Sequence, residues 1–335
     1  MHHKIMFNED SDHFVYTRYA ANIEVTEEVL RDFIRQYKST QVTDFLLNVN
    51  ALNASFPSKI LESSISKYSV KKENNIDVDY SNTYASMYYD LYVNKKLDMY
   101  AVWIDELRKN NITPWISFRM NDCHENNEKT SLLLSEFFHS RTDLRRVTHH
   151  LPTGYFDRCF DYGKLEVRAR MIAFIEETME RYDPDGIELD WQREMFCFRP
   201  GCEYEGIKIL NDFTRQIKTL VLEYEKKRGH KIEIAVRVPA NPDDALYSGF
   251  DTVTWAKEGL CDIIIPTPRW ETTDNDMPIE LWKQLLLPYK VLLGAGMSFA
   301  KGKAYNLASK ELKKCFPREN AFSSCLISSN YIIYK

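Results

Sequence analysis

The sequence predicts an α/β protein folded as a single (β/α)8 (TIM) barrel domain over residues 1–335, with the eighth strand left open. Three observations support this prediction. Short β-rich runs alternate with helical patterns along most of the chain, as is typical of βα units around a parallel sheet. The segment 185–194, DGIELDWQRE, alternates acidic and apolar residues like a buried strand. Finally, 335 residues leave room for a barrel, which needs roughly 250.

The segment 185–194 is the predicted fourth strand. Glu188, Asp190 and Gln192 share one side of an extended strand, because successive side chains point to opposite faces. The apolar residues between them share the other side and would pack against the outer helices, so we expect Trp191 in the core. The polar side would then point into the barrel mouth, where such barrels keep their active sites.

The other predicted elements follow from hydrophobic spacing. The predicted strands are 13–18, 42–49, 112–120, 186–192, 232–238, 262–267 and 290–294, with 327–334 as the candidate for the eighth. The predicted helices are 26–37, 97–109, 165–181, 205–227, 250–258, 279–286 and 304–315. Residues 50–92 form a long Ser/Asn/Tyr-rich loop insertion, expected above the barrel mouth, and 317–335 form a C-terminal tail unlike the rest.

Polar residues cluster at the ends of four predicted strands. Because the carboxyl ends of barrel strands meet at one face, we expect these side chains to gather there. They are Arg119, Asn121, Asp122 and His124 after the third strand, Glu188, Asp190, Gln192 and Arg193 on the fourth, Arg237 after the fifth, and Arg269, Trp270 and Glu271 after the sixth.

The fourth strand resembles a known family. DGIELDWQ is similar to the family 18 chitinase motif and to bacterial glycoside-hydrolase-like barrels that carry an Asp-Gly-Ile-Glu-Leu-Asp strand. Asp185, Gly186 and Asp190 match the chitinase motif, whereas its first strand Asp is Glu188 here and its catalytic Glu is Gln192. The resemblance implies a glycosidase-like TIM barrel. A glutamine cannot protonate a leaving sugar oxygen, so the chitinase mechanism does not carry over intact.

Glycoside hydrolysis ordinarily needs two carboxyl groups, one protonated and one ionised. We expect Asp190 to be the principal acid or nucleophile and Glu188 to tune it from the deeper layer, because two carboxylates this close drive their pKa values apart. The opposing carboxylate would be Glu271, or as second choice Asp122. A structural role for Glu188, paired inside the barrel with Arg237 or Arg119, is the alternative.

The remaining strand-end residues are expected to bind substrate. The arginines would hold sugar hydroxyls or an acidic substituent, and Trp270 would stack on a sugar face. The expected substrate-binding residues are Arg119, Asn121, Asp122, His124, Gln192, Arg193, Arg237, Arg269 and Trp270.

The predicted function is therefore a glycoside hydrolase acting on a polysaccharide or glycoconjugate. The alternatives are a catalytically inactive carbohydrate-binding barrel, which Gln192 suggests, and a metal-dependent hydrolase on the same fold. We expect a carbohydrate partner, no cofactor and no metal. The oligomeric state stays open.

Composition and charge limit which other kinds of partner the protein is expected to bind. A net charge of -5 without a basic stripe argues against nucleic acid. No apolar run reaches about 18 residues, so no membrane span is expected. The start lacks the apolar core of a secretory signal, which predicts a cytoplasmic protein if this start is native and an exported one if a leader was removed. The seven scattered cysteines suit reduced thiols.

Overall fold

Eight β-strands close into a barrel in the computed structural model, which describes residues 4–69, 72–73, 76–77, 80, 82–128, 130–149, 151–268, 276–298 and 329–334. The barrel strands are β1 (Lys4–Glu9), β2 (Asp44–Asn48), β3 (Thr113–Arg119), β4 (Gly186–Asp190), β5 (Glu233–Pro239), β6 (Ile263–Thr267), β7 (Leu292–Ser298) and β8 (Ser329–Tyr334). The barrel fold predicted from the sequence is confirmed.

Strands β1 to β7 run parallel to their neighbours in chain order. The eighth strand lies where the sequence placed its candidate. It pairs antiparallel with both β7 and β1, however, so it closes the barrel in the opposite direction to the rest.

The helices cover the outside of the barrel and the connections at its ends. The α-helices are α1 (Ser11–Ala20), α2 (Glu27–Arg35), α3 (Ser64–Ser69), α4 (Ala85–Tyr89), α5 (Met99–Lys109), α6 (Glu136–Ser140), α7 (Leu165–Arg181), α8 (Glu203–Arg228), α9 (Pro242–Tyr247), α10 (Thr252–Lys257) and α11 (Ile279–Leu286). The long connections after β2 and after β3 carry short helices, and the insertion after β2 also holds a small hairpin that pairs Lys72–Glu73 with Ile76–Asp77. The helix predicted at 304–315 lies outside the described residues. None of the described helices has the length and apolar character needed to cross a membrane.

The first strand was predicted wrongly. Residues 13–18 belong to α1, and the strand is Lys4–Glu9. Asp10 caps α1 by accepting a hydrogen bond from the backbone N–H of Asp12, which starts a helix directly after the strand. The aromatic and β-branched residues of this run favoured a strand locally, but the fold buries Ser11, Phe14 and Val15, which stand at positions i, i+3 and i+4 on one side of a helix.

Apolar side chains fill the lower part of the barrel interior. This layer consists of Met6, Leu46, Trp115, Ala235, Ile263 and Ile265. Beneath it, Lys4 donates hydrogen bonds to Asp44 and Glu233 at the amino ends of their strands. Polar residues follow above it, so the apolar layer is a floor that separates the mouth from the opposite end.

The outward side of β4 packs against the helices as predicted. Ile187, Leu189 and Trp191 belong to the main outer core. The Trp191 ring contacts Tyr162 and Phe213 edge-on, with centroids 5.1 and 5.9 Å away. Trp191 is therefore a core residue, and the alternation along β4 correctly gave the two faces of the strand.

Gly186 makes room for the largest side chain of the floor. Trp115 lies opposite it in register on β3, and a Cβ on Gly186 would meet the indole ring at 2.4 Å. The ring is anchored by its Nε1, which donates to Asp44 at 2.9 Å, and Lys4 lies 5.3 Å from its centroid. Since the indole is held from two sides, it cannot easily move away from a larger residue at position 186.

Replacing Gly186 by alanine should therefore destabilise the protein by about 2 kcal/mol or more, because the added methyl overpacks the floor. Urea unfolding of G186A and wild type measures the difference. G154A is the matched control, since its Cβ would make an ordinary 3.4 Å contact with Asp157. Equal midpoints for G186A and wild type would contradict this account of the floor.

Candidate functional site

The strand ends bring three charged residues of neighbouring strands side by side. Asp190 on β4 lies in register with Arg119 on β3 and Arg237 on β5. Because residues paired in register point to the same face, these side chains share the interior side of the barrel at its mouth. The mouth therefore contains a carboxylate flanked by two guanidinium groups.

Asp190 is held in one orientation. Its Oδ1 accepts hydrogen bonds from the backbone N–H groups of Gln192 and Arg193, each at 3.0 Å. Its Oδ2 accepts from Arg237 Nη1 at 3.0 Å, and the residue is 3% exposed. The backbone turn after β4 and the neighbouring strand thus fix both oxygens.

Glu188 lies one layer deeper and is fully buried. Its Oε2 accepts hydrogen bonds from Asn8 Nδ2 and Ser117 Oγ, both at 2.6 Å. Asn8 and Ser117 come from β1 and β3, so Glu188 joins three walls of the barrel. This position agrees with the deeper layer that the sequence predicted for it.

Asp122 is the centre of a charged network after β3. Its Oδ1 accepts from the backbone N–H of His124 at 2.9 Å and lies 2.6 Å from His124 Nδ1. Its Oδ2 accepts from Arg119 at 3.1 Å and lies 3.6 Å from Arg193 Nε. Burial by itself would raise the pKa of Asp122, but His124, Arg119 and Arg193 hold it well below its usual range. Asp122 is therefore an ionised anchor for the basic residues around it.

Arg119 links this network to β1. Its Nη2 donates to Asp10 Oδ2 at 2.6 Å, while Nη1 contacts Asp122. Burial opposes ionisation of Asp10, yet Arg119 lowers the pKa of this carboxyl below its ordinary value. One guanidinium thus bridges carboxylates from two different strand ends.

Asp12 lies next to Asp10 and behaves differently. Burial, together with the negative charge of Asp10, raises the pKa of Asp12 to about 6, although hydrogen bonds from Tyr88 and Ser55 act against this shift. Tyr88 Oη donates to Asp12 Oδ1 at 2.5 Å, and Ser55 Oγ lies 3.2 Å from the same oxygen. Two carboxyl groups two residues apart therefore have pKa values displaced in opposite directions.

Sequence reasoning missed Asp10 and Asp12. The signal was the run KIMFNED, in which acids directly follow an apolar stretch. Placing the first strand at 13–18 hid it, because the acids then preceded the strand.

Two predicted substrate-binding amides are buried. Asn121 donates from Nδ2 to the carbonyls of Phe160 and Phe196, each at 3.0 Å, so it fastens two loops together. Gln192 is 3% exposed, and its Oε1 has no hydrogen-bond partner among the described residues. Both amides are therefore part of the packed structure around the mouth.

Three predicted site residues, Arg269, Trp270 and Glu271, lie outside the described residues. Within the part of the chain that the structure describes, there is no cluster of three or more His, Cys, Asp or Glu side chains arranged to hold a metal ion.

A small pocket with a cavity volume of about 40 Å³ extends the mouth sideways, between the loop after β2, the loop after β3 and α7. Arg119, Asn121, Asp122 and Arg170 form part of its wall. Its other lining residues include Leu52, Leu61, Phe137, Phe160 and Met171.

Replacing Asp122 by asparagine should lower the free energy of unfolding by about 3 kcal/mol or more at pH 7, because Arg119 and Arg193 would lose a buried counter-charge. The folded pKa of Asp122 lies below its unfolded value, so its stabilising effect is present above about pH 4 and is lost as pH falls further. The difference in free energy of unfolding between wild type and D122N should therefore become smaller below pH 4. Urea unfolding at pH 7, 5 and 3.5 measures it.

The control for this prediction is D105N. Asp105 pairs with Arg31 and Lys109 on the exposed surface, where such pairs contribute about 1 kcal/mol or less. A D122N protein no less stable than D105N would contradict the anchoring role of Asp122.

Comparison of the sequence with protein-family models and with curated proteins finds no match. Comparison of the structure finds an endo-1,4-β-mannanase from Rhizomucor miehei, with 11% identity, TM-score 0.48 and coverage of 91% of this chain and 80% of that one. A Paenibacillus sp. cycloisomaltooligosaccharide glucanotransferase gives 9% identity and TM-score 0.45, covering 82% of this chain but 37% of that one. A family 18 N-acetylglucosaminidase from Paenibacillus barengoltzii gives 10% identity and TM-score 0.38, covering 78% and 52%. This chain thus spans about a third to a half of the length of the latter two, and its barrel topology is established by its own strand pairing.

Proposed function

We propose that this chain is a glycoside hydrolase acting on a polysaccharide or glycoconjugate, with its acid/base centre at the barrel mouth. The observation that carries the proposal is the split between Asp10 and Asp12, whose pKa values are displaced downward and upward to about 6. A carboxyl group whose pKa is raised in this way is suited to act as a general acid, while Asp10, which Arg119 holds ionised, raises the pKa of Asp12 by its charge.

Asp12 is the proposed proton donor. With a pKa of about 6 it keeps its proton through the weakly acidic range, which a leaving sugar oxygen requires. The role that the chitinase motif gives to the residue at Gln192 would thus be taken by an acid from another strand end.

Asp190 is the proposed nucleophile or base. Asp12 lies in the first turn of α1, directly after β1, and β1 and β4 are three places apart among the eight strands of the barrel, so the proposal brings the two carboxyl groups to the mouth from different walls. Glycosidases place their two carboxyl groups on either side of the scissile bond in this manner. Glu188 supports Asp190 from the layer below, and Glu271 remains a further candidate for the opposing carboxylate.

The basic residues around these carboxyl groups are the proposed substrate-binding set. Arg119, Arg193 and Arg237 are ion-paired, so they present fixed donors to sugar hydroxyls. His124 has the most exposed side chain of the charged network, at 22%. Arg269 and Trp270 would complete the set from the end of β6.

A carbohydrate-binding barrel without turnover is the second candidate. Gln192 at the motif position and an Asp190 carboxylate that already accepts three hydrogen bonds favour it. Binding of a glycan to wild type without hydrolysis between pH 4 and 8 would select this candidate over the hydrolase.

Replacing Asp190 by asparagine should lower turnover by about 10²- to 10⁴-fold, because the attacking or activating carboxylate is lost. Release of reducing sugar from a glycan panel measures the effect. E223Q, which neutralises an exposed carboxylate on α8, should retain wild-type turnover. Wild-type turnover by D190N would contradict the role assigned to Asp190, although the chain would still be a glycoside hydrolase.

The pH dependence tests Asp12. Wild-type kcat/KM should fall about tenfold per pH unit above pH 6, as the donor loses its proton, and D12N should lack this decline. D12N should also lose far more activity on substrates with poor leaving groups than on dinitrophenyl glycosides, because dinitrophenolate leaves without being protonated. Equal losses on both substrate types would exclude Asp12 as the acid.

A further inference from the structure

Two buried cysteines lie in contact beside the charged network. Cys123 directly follows Asp122, and Cys159 comes from the loop that precedes α7. Their Sγ atoms are 3.1 Å apart, and the two residues are 0% and 1% exposed. The sequence favoured reduced, scattered thiols, but the fold brings together two that are 36 positions apart.

Hydrogen bonds join the two backbone segments that carry the cysteines. Asn121 donates to the carbonyl of Phe160 and accepts from its N–H, so the two segments are joined next to the thiols. Cys159 O accepts from the backbone N–H of Arg146, which holds its other side. A disulfide needs an S–S distance of about 2.0 Å, so each sulfur would move by well under an ångström.

We propose that Cys123 and Cys159 form a disulfide when the chain folds in the presence of a disulfide oxidant. This bond would tie the loop that carries Asp122 and His124 to the loop before α7. The proposal does not depend on the glycosidase assignment.

The bond forms by thiol–disulfide exchange. The thiolate of one cysteine attacks the oxidant disulfide and releases one thiol, and the second cysteine then attacks the mixed disulfide and releases the other. Each cysteine loses one hydrogen, and the oxidant is reduced to two thiols. Glutathione disulfide is sufficient for this reaction.

The exchange belongs to folding rather than to the folded protein. Burial, and the contact with Cys123, hold the pKa of the Cys159 thiol well above its ordinary value, so the attacking thiolate is scarce in the native state. Access to a bulky oxidant is also closed in the folded chain. The native reduced protein should therefore oxidise slowly, and the refolding chain quickly.

The test is to unfold and reduce the wild-type protein, refold it with glutathione and glutathione disulfide, and alkylate the remaining thiols. Tryptic mapping should then show one linked pair, MNDCHENNEK (120–129) with CFDYGK (159–164). The linked protein should melt about 5 °C higher than the same protein refolded with dithiothreitol. Full recovery of both peptides in alkylated form, or links spread over the other cysteines, would overturn the proposal.

Variants separate this bond from other thiol chemistry. C123S and C159S should abolish both the linked peptide and the oxidant-dependent rise in melting temperature. C261S replaces another buried cysteine, at the start of β6, and should retain both. If C123S keeps the rise, a different pair is responsible and the assignment fails; if either serine variant does not fold, wild-type peptide mapping still decides.

Discussion

The mouth of this barrel depends on one guanidinium. Arg119 comes from the end of β3 and contacts Asp10 from the end of β1 and Asp122 from its own loop. Without that cation, buried negative charges at two strand ends would face each other. Its position also explains the acidic split, because Arg119 holds Asp10 ionised and the charge on Asp10 then helps Asp12 to keep its proton. The ion pair between Arg119 and Asp10 therefore both stabilises the mouth and supports the proposed role of Asp12 as a proton donor.

Local pattern was enough to predict much of this fold. The bounds of α7 and α11, the two faces of β4 and the position of β8 follow from spacing that is visible in a single sequence. The first strand failed because aromatic and β-branched residues in 13–18 mimic a strand, while the cap that makes them a helix lies just upstream. The direction of β8 depends on pairing between the two ends of the chain, which no local pattern records.

The site was predictable only in part for the same reason. Asp190 and Glu188 were predicted as candidates because one motif contains both, and both lie on the interior side of β4. The raised pKa of Asp12 comes from its burial and from the charge on Asp10, and this environment forms only after the barrel closes and the insertion packs over α1. Likewise, the sequence shows Gln192 only as a replacement for the catalytic Glu of the chitinase motif. In the fold it is a buried residue whose backbone N–H donates to Asp190 and helps to orient it.

The reversed eighth strand has a consequence for engineering. Lys4 and Ile333 are partners in register, so the chain enters and leaves the barrel side by side at the floor. A reporter protein or surface tether attached before β1 or after β8 would lie on the face remote from the charged network.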